Sequence, residues 1–142
     1  MKKKELLFIF TFFFISPSFA QQVSLKKDTI LVGNKPFALL QENVGKRKHC
    51  YINSFNGDQL IEVHNARIEI KGKPADVVTF LNDKRQAMVV KQNPFPLLLI
   101  KELVKHNIII NGIVIDTHAE TLFINIHQLP EGYTDIEQLI EY

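Results

Sequence analysis

The chain has 142 residues, of which 46% are hydrophobic and 23% charged, with six Gly, six Pro, one Cys and no Trp. This composition excludes collagen, a Gly/Pro-rich tether, a disulfide-stapled miniprotein and a highly charged disordered tail, and the length predicts one compact domain. The formal net charge is +2, but residues 1–20 carry three bases and one acid, so residues 21–142 are neutral. A neutral domain does not favour nucleic acid as a partner.

The first twenty residues are typical of a secretory signal peptide. Three lysines lie within Met1–Glu5, a ten-residue apolar run covers Leu6–Ile15, and small residues surround Phe19. The apolar run has about half the length that a membrane-spanning helix needs. We therefore predict cleavage between Ala20 and Gln21, which leaves a single domain over residues 21–142 with no membrane span; a retained N-terminal anchor is the alternative.

Three β-hairpins are predicted in the first part of this domain. The paired strands are Asp28–Val32 with Pro36–Glu42, Lys48–Phe55 with Asp58–Ile70, and Asp76–Leu81 with Gln86–Lys91. The first two connecting segments contain Gly and Asn, which adopt the positive φ angles of tight turns, and the third is Asn82-Asp83-Lys84-Arg85. Asn56-Gly57 in the second hairpin is typical of a type I′ turn.

The second strand of the second hairpin changes its side-chain pattern midway. Ile61 and Val63 share one parity, whereas Ala66, Ile68 and Ile70 share the other. One strand cannot bury both sets on one face without an extra residue between them. We predict a bulge or bend at His64-Asn65, which either curves the sheet or redirects His64 for function.

A helix is predicted after the third hairpin. Leu97, Ile100, Leu103 and Val104 recur at helical spacing, and the preceding prolines suit a first turn. Asn107 is a suitable left-handed residue to end the helix.

The C-terminal segment contains a further turn and two capping signals. Ile108–Ile115, with Asn111-Gly112 at its centre, predicts either a short hairpin with arms buried on both faces or a buried corner. Asp116 or Thr117 is expected to cap a short helix with an apolar side, Thr117 forming a capping box with Glu120. A second short helix is expected to begin at Thr134, with Glu137 in the equivalent place. The apolar side of the first helix consists of Leu122, Phe123 and Ile126.

Together these elements predict an α+β domain. We expect an antiparallel β-meander of about six strands, followed by an amphipathic helix and two short C-terminal helices that pack on one face.

No catalytic, cofactor or metal motif is recognisable. The five histidines, His49, His64, His106, His118 and His127, lack the spacing of metal ligands. Ser24, Ser54 and Cys50 lie in no nucleophile motif. The lone Cys50 excludes an internal disulfide, and its alternating neighbourhood predicts a small buried residue. The densest basic cluster, 46–49, is expected to be a solvated loop, with an anionic surface as the alternative.

Several turn and packing motifs resemble those of uncharacterised small exported proteins of Bacteroidetes. The residues concerned are Asp28–Pro36, Asn53–Leu60, Val78–Leu81, Leu103–Ile109, Asn111-Gly112 and Asp116. The resemblance implies an exported bacterial α+β domain and supplies no activity or ligand. Asn107 departs from it, because such chains often have Gly there.

Two functional hypotheses follow from these observations. The first is a non-enzymatic exported protein, periplasmic or secreted, that binds an unknown envelope or secreted protein. The alternative is a carrier of small apolar ligands or lipids, in which the apolar stretch 97–115 lines a cavity between the sheet and the helices.

Overall fold

The computed structural model describes residues 22–42 and 49–132 of the chain. Seven strands form one antiparallel sheet in which neighbours in sequence are neighbours in space. The strands are β1 (Val23–Lys26), β2 (Thr29–Val32), β3 (Lys35–Glu42), β4 (His49–Asn53), β5 (Gln59–Asn65), β6 (Ala75–Phe80) and β7 (Gln86–Val90). The predicted α+β meander is confirmed. The predicted signal peptide, the basic cluster at 46–48 and the helix expected from Thr134 lie outside the described residues.

The sheet has one strand more than predicted, because β1 pairs with β2. Lys27 turns the chain between them with a φ of 55°, although lysine is not a typical turn residue. The next hairpin, β2 with β3, is confirmed, and both residues of its Gly33-Asn34 turn have positive φ angles. This turn is the type I′ geometry that matches strand twist.

The β4–β5 hairpin is confirmed, but the type I′ prediction for its turn is wrong. Gly57 has a φ of 88°, whereas Asn56 has no positive φ. The Gly57 N–H donates to the Ser54 carbonyl at 3.0 Å, and the Asp58 N–H donates to the Ser54 hydroxyl at 3.2 Å. These bonds stabilise a four-residue turn with Gly57 in the left-handed position and a bulge beside it.

The bulge or bend predicted at His64-Asn65 is also wrong. The β5–β6 pairing runs without a shift as far as Asn65, where the strand ends. Beyond it the Ala66 N–H still donates to the Ala75 carbonyl at 2.9 Å, and Ala66 and Ile68 pack against Val77 on the opposite face from the main core. The parity change is real, but the second apolar set serves the other side of the sheet, so no extra residue is needed within the strand.

The third hairpin, β6 with β7, is confirmed, and all six residues of β6 are buried. The helix that follows is also confirmed as α1 (Leu97–Lys105), although Pro96 precedes its first turn and does not lie within it. Asn107 ends it with a φ of 55°. The N–H groups of Asn107 and Ile108 donate back to the last helical turn at 3.0 and 3.3 Å, which is a Schellman ending.

The short hairpin is confirmed as β8 (Ile109–Ile110) and β9 (Val114–Ile115). The predicted burial of both its faces is wrong, because Ile110, Ile113 and Val114 are 41–50% exposed. Two-residue strands are too short for the neighbouring elements to cover both sides. One side of the turn packs closely on β3, and the other side faces solvent.

The second helix, α2 (Thr117–Ile126), begins at Asp116. The Asp116 carboxylate accepts bonds from the His118 and Ala119 N–H groups at 2.9 and 3.0 Å, so Asp116 and not Thr117 is the cap. Glu120 completes no capping box because its side chain is turned inward and buried.

The apolar side predicted for α2 is only partly buried. Phe123 is fully buried and meets Phe80 edge-on, with ring centroids 6.0 Å apart. Leu122 and Ile126 are 50% and 62% exposed, so the prediction is wrong for these two residues. The buried residues of α2 are Glu120 and Phe123, so the helix packs on the domain through a narrow side.

Both helices contribute to a core on one face of the sheet, with α1 contacting β1 and α2 contacting β7. After α2 the chain crosses the outer edge of β7, where the His127 carbonyl accepts a bond from the Met88 N–H at 3.0 Å. Leu129 then reaches Val77 on the other face. Within residues 22–42 and 49–132, no helix combines the length and the apolar character that crossing a membrane requires.

Candidate functional site

A cleft of about 450 Å³ opens beside β7, between that strand, the start of α1 and the segment after α2. We call it the β7 cleft. Its apolar lining includes Val89, Val90, Phe95, Leu98, Leu99 and Ile126, and its polar lining consists of Asp76, Gln92, Glu102, His127 and Gln128. Its volume and mixed lining are those of a small-molecule site.

Asp76 is the most unusual residue of the β7 cleft, because it is a carboxylate with only 1% exposure. Its Oδ1 atom lies 3.3 Å from Lys91 Nζ, and it accepts no well-directed hydrogen bond from the described residues. Burial raises the pKa of Asp76, and the charge of Lys91 opposes that shift. A carboxylate oxygen in this state has acceptor capacity left beside its ion pair with Lys91.

Lys91 is held in place by two further contacts. Its ammonium donates to Asn65 Oδ1 at 2.5 Å and lies 4.7 Å from the centroid of the Phe95 ring. The lysine therefore connects the end of β5 with the entry to α1. It partly compensates the Asp76 charge from a position fixed by Asn65 and Phe95.

The lining of the β7 cleft also includes Glu102 and His127. Glu102 Oε2 lies 3.7 Å from His106 Nε2, and the His127 ring lies 4.5 Å from the Phe123 ring. Burial lowers the pKa of His127, and the nearby His106 lowers it further. His127 is therefore neutral at neutral pH, and it offers the cleft one donor or one acceptor.

The structure places His64 away from the β7 cleft. His64 Nε2 lies 2.7 Å from Glu62 Oε1, and the Tyr51 hydroxyl donates to the same oxygen at 2.9 Å. Burial and this hydrogen bond raise the pKa of Tyr51. The three residues form a polar chain on the face opposite the main core, where side chains of this parity point.

The other candidate residues from the sequence contribute to the fold and do not line the β7 cleft. Cys50 is 2% exposed, and burial, with a smaller effect of the Asp76 charge, raises its pKa to about 12. Ser54 accepts the turn hydrogen bond described above, and His118 lies in the first turn of α2. Among the residues that the structure describes, no three His, Cys, Asp or Glu side chains are grouped closely enough to hold a metal ion.

A second buried carboxylate, Glu120, joins the β6–β7 turn to α2. Its Oε2 atom accepts a bond from Asn82 Nδ2 at 3.0 Å, and its Oε1 atom lies 3.2 Å from Arg85 Nε. Arg85 also pairs with Asp83 at 2.7 Å and donates to the Thr121 hydroxyl at 2.8 Å. Burial raises the pKa of Glu120. These contacts hold the β6–β7 turn against α2.

A second concave surface, which we call the hairpin groove, lies between the β8–β9 hairpin and the β2–β3 turn. It has a volume of about 520 Å³, and its apolar lining includes Val32, Pro36, Phe37, Val104, Ile109 and Ile110. Lys35, Asn107, Asn111 and Asp116 also line it. The exposed Ile113 and Val114 belong to the same hairpin as Ile110.

Sequence reasoning missed the polar residues of the β7 cleft. The available signal was Asp76, a single acid within the otherwise apolar or neutral strand Ala75–Phe80. A charge in the middle of a strand buried on both faces needs a partner, and Lys91 is that partner.

Comparisons with protein-family models, with curated proteins and with solved structures find no match to this chain. The β7 cleft differs from the hairpin groove in having a buried carboxylate in its lining.

Proposed function

We propose that this protein is an exported, non-enzymatic carrier that binds a small apolar ligand in the β7 cleft. The observation that carries the proposal is a cleft of about 450 Å³ between sheet and helices, with apolar walls and the buried Asp76 in its lining. Small-molecule sites commonly combine apolar walls with a few polar groups that orient the ligand.

The volume and position of the β7 cleft suit a compact ligand. If each non-hydrogen atom of the ligand takes about 30 Å³, as a water molecule does, the cleft volume of about 450 Å³ holds a ligand of roughly 15 such atoms. Leu98 and Leu99 come from the start of α1, whereas Val89 comes from β7. The Met88–His127 hydrogen bond fixes the segment after α2, which forms the third wall, to β7. These connections favour a preformed site.

The nearby reactive groups favour binding over catalysis. The Cys50 thiol is protonated at neutral pH because its pKa is raised to about 12. Asp76 is compensated by Lys91, and Glu102 lies close to His106. These contacts hold the side chains in fixed positions, which suits recognition of a ligand.

Native mass spectrometry of the full chain purified from producing cells tests the carrier proposal. We expect an adduct of low mass that organic solvent extracts. Leu98→Gln places a polar amide in the cleft wall and is expected to reduce the adduct at least tenfold. Leu122→Gln, at a half-exposed position on α2 that does not line the cleft, is the matched control and is expected to retain the adduct. A wild-type spectrum with only the bare mass contradicts the proposal.

A second candidate function is protein binding at the hairpin groove. It is favoured by the exposure of Ile110, Ile113 and Val114, which together form an apolar patch on one short hairpin. Asp116 is engaged in capping α2, and Lys35 forms no ion pair with the described residues. The fitting partner is therefore a protein segment with apolar side chains flanked by carboxylates.

Pulldown from envelope extracts at increasing salt tests this second function. A partner with the stated acidic and apolar segment is expected to be lost with Ile113→Ser and weakened with Lys35→Gln, but retained with Leu122→Ser. Retention by all three variants, or the absence of any such partner, contradicts it.

Export is proposed with cleavage between Ala20 and Gln21. This proposal is supported by the start of β1 at Val23, because the cleavage leaves every residue of the seven-stranded sheet in the mature chain. N-terminal sequencing of protein recovered from cells is expected to begin at Gln21. Recovery of a chain that retains residues 1–20 contradicts cleavage.

A further inference from the structure

We propose that the ligand of the β7 cleft is an amine with an apolar body, whose nitrogen donates hydrogen bonds to the two carboxylates of the cleft lining, the buried Asp76 and Glu102. This inference rests on the carrier function proposed above and specifies the chemical class of its ligand. It is carried by the placement of two carboxylates in the lining of one apolar cleft.

Asp76 is the buried one of the two carboxylates. Its side chain is 2% exposed and lines the cleft, yet its Oδ1 atom accepts no well-directed hydrogen bond from the described residues. Lys91 compensates its charge from 3.3 Å but is held by Asn65 and by the Phe95 ring. An N–H donor from a ligand would satisfy this oxygen, which is otherwise buried at a cost.

The charged residues that line the cleft are negative. Asp76 and Glu102 are the acidic lining residues, and no Lys or Arg is in the lining formed by the described residues. The neighbouring bases are Lys91, which is paired with Asp76, and His106, which lies near Glu102. A ligand carboxylate would meet the Glu102 charge and the partly compensated Asp76 charge, both of its own sign, whereas an ammonium group would meet charges of opposite sign.

The rest of the cleft lining consists of apolar and neutral residues. Leu98, Leu99 and Val89 offer an apolar surface to the body of the ligand, while Gln92 and Gln128 are neutral. A fully apolar ligand would leave the Asp76 oxygen with the Lys91 ion pair alone. An alcohol offers one donor and no charge, whereas an ammonium group offers three donors and a positive charge to the two carboxylates. An amine with an apolar body therefore fits the lining better than a hydrocarbon, an alcohol or a fatty acid.

Isothermal titration calorimetry of the full chain with n-decylamine, n-decanol and sodium decanoate tests the inference. The three probes share one chain length and differ in their head groups. We expect n-decylamine to bind at least tenfold more tightly than n-decanol and decanoate to bind most weakly. Charge-assisted hydrogen bonds are strong enough to produce a preference of this size.

Substitutions assign the preference to the two carboxylates. Asp76→Asn and Glu102→Gln are each expected to weaken n-decylamine binding about tenfold and to leave n-decanol binding unchanged within about twofold. Because Glu102 is half-buried, Glu102→Gln keeps the test decisive even if Asp76→Asn does not fold. Asp58→Asn, in the exposed turn before β5, is the matched control and is expected to preserve the preference.

The outcomes separate this inference from the carrier function. Equal binding of the amine and the alcohol overturns the amine class and leaves the carrier function in place. A preference that survives both carboxylate substitutions overturns the assignment to Asp76 and Glu102. Failure of all three probes to bind, together with a bare mass in native spectrometry, overturns both proposals.

Discussion

Gly112 lies so close to Phe37 that a Cβ atom on Gly112 would be 1.8 Å from the Phe37 carbonyl oxygen. Phe37 is the extra residue of a bulge in β3, because Ile30 pairs with Ala38 whereas Leu31 pairs with Pro36. The turn of the β8–β9 hairpin therefore packs directly on the backbone of the main sheet. This contact positions Ile110 and Val114, and it requires glycine on both steric and conformational grounds.

Gly112→Ala is expected to lower the free energy of unfolding by about 3 kcal/mol, because it adds a backbone clash to the strain of a φ of 68°. The matched control is Gly33→Ala, where φ is 58° and nothing lies within 4 Å of the added carbon. The control is expected to cost about 1 kcal/mol. Denaturant unfolding measures both values. Equal losses would show that the contact with Phe37 does not constrain the hairpin.

Cys50 is expected to be almost inert in the folded protein. Its pKa rises from 9.0 to about 12, which lowers the thiolate fraction at fixed pH about a thousandfold, and burial blocks access as well. Reaction with a disulfide reagent such as DTNB near pH 8 is therefore expected to be complete only after unfolding. The same chain in guanidinium is the control. Rapid stoichiometric labelling of the native chain would contradict the burial of Cys50.

His127 is expected to reduce stability as the solution becomes acidic. Its folded-state pKa lies below the ordinary 6.5, so the unfolded chain binds the proton more readily. Its contribution to stability is present above about pH 6.5 and is lost as the pH falls through the folded-state pKa. The free energy of unfolding of the wild type is therefore expected to decrease relative to that of His127→Gln between about pH 7.5 and 5.5.

The control for this pH dependence is His118→Gln, at an exposed position on α2. It is expected to follow the wild type across the same range. Asp76 and Glu120 have raised pKa values, and their protonation on acidification favours the folded state. Both acids are present in every variant, so their effect cancels in the comparison. Parallel curves for wild type and His127→Gln would contradict the assignment.

Sequence patterns predicted the elements whose causes are local. Gly33-Asn34 and Asn111-Gly112 adopt the positive φ angles that their composition favours, and Asn107 ends α1 in the same conformation. The β1 strand was missed because its turn depends on Lys27, which gives no such signal. These outcomes depend on a few neighbouring residues, so they can be recognised without knowledge of the rest of the chain.

Features that depend on distant elements were predicted less well. The parity change after Val63 was recognised, but only the packing of Ala66 and Ile68 against Val77 shows that the second apolar set covers the other face of the sheet. The exposure of Leu122 likewise depends on which side of α2 meets the sheet. Periodicity identifies an apolar side, but the available neighbours decide how much of it is buried.

The β7 cleft depends most on tertiary structure. Asp76 belongs to β6 and Glu102 to α1, so their shared cleft has no spacing motif in the sequence. The tertiary fold brings these two acids to one site, although each is unremarkable in its own segment apart from the buried charge of Asp76.

Methyl NMR during titration of the full chain with n-decanol tests the central claim most directly, because it reports where an apolar ligand binds. Saturable shifts are expected at Val89, Val90, Leu98 and Leu99, with no comparable shifts at Ile110, Ile113 or Val114. Shifts confined to the β8–β9 hairpin, or no saturable shift at any of these methyl groups, would contradict a ligand site in the β7 cleft.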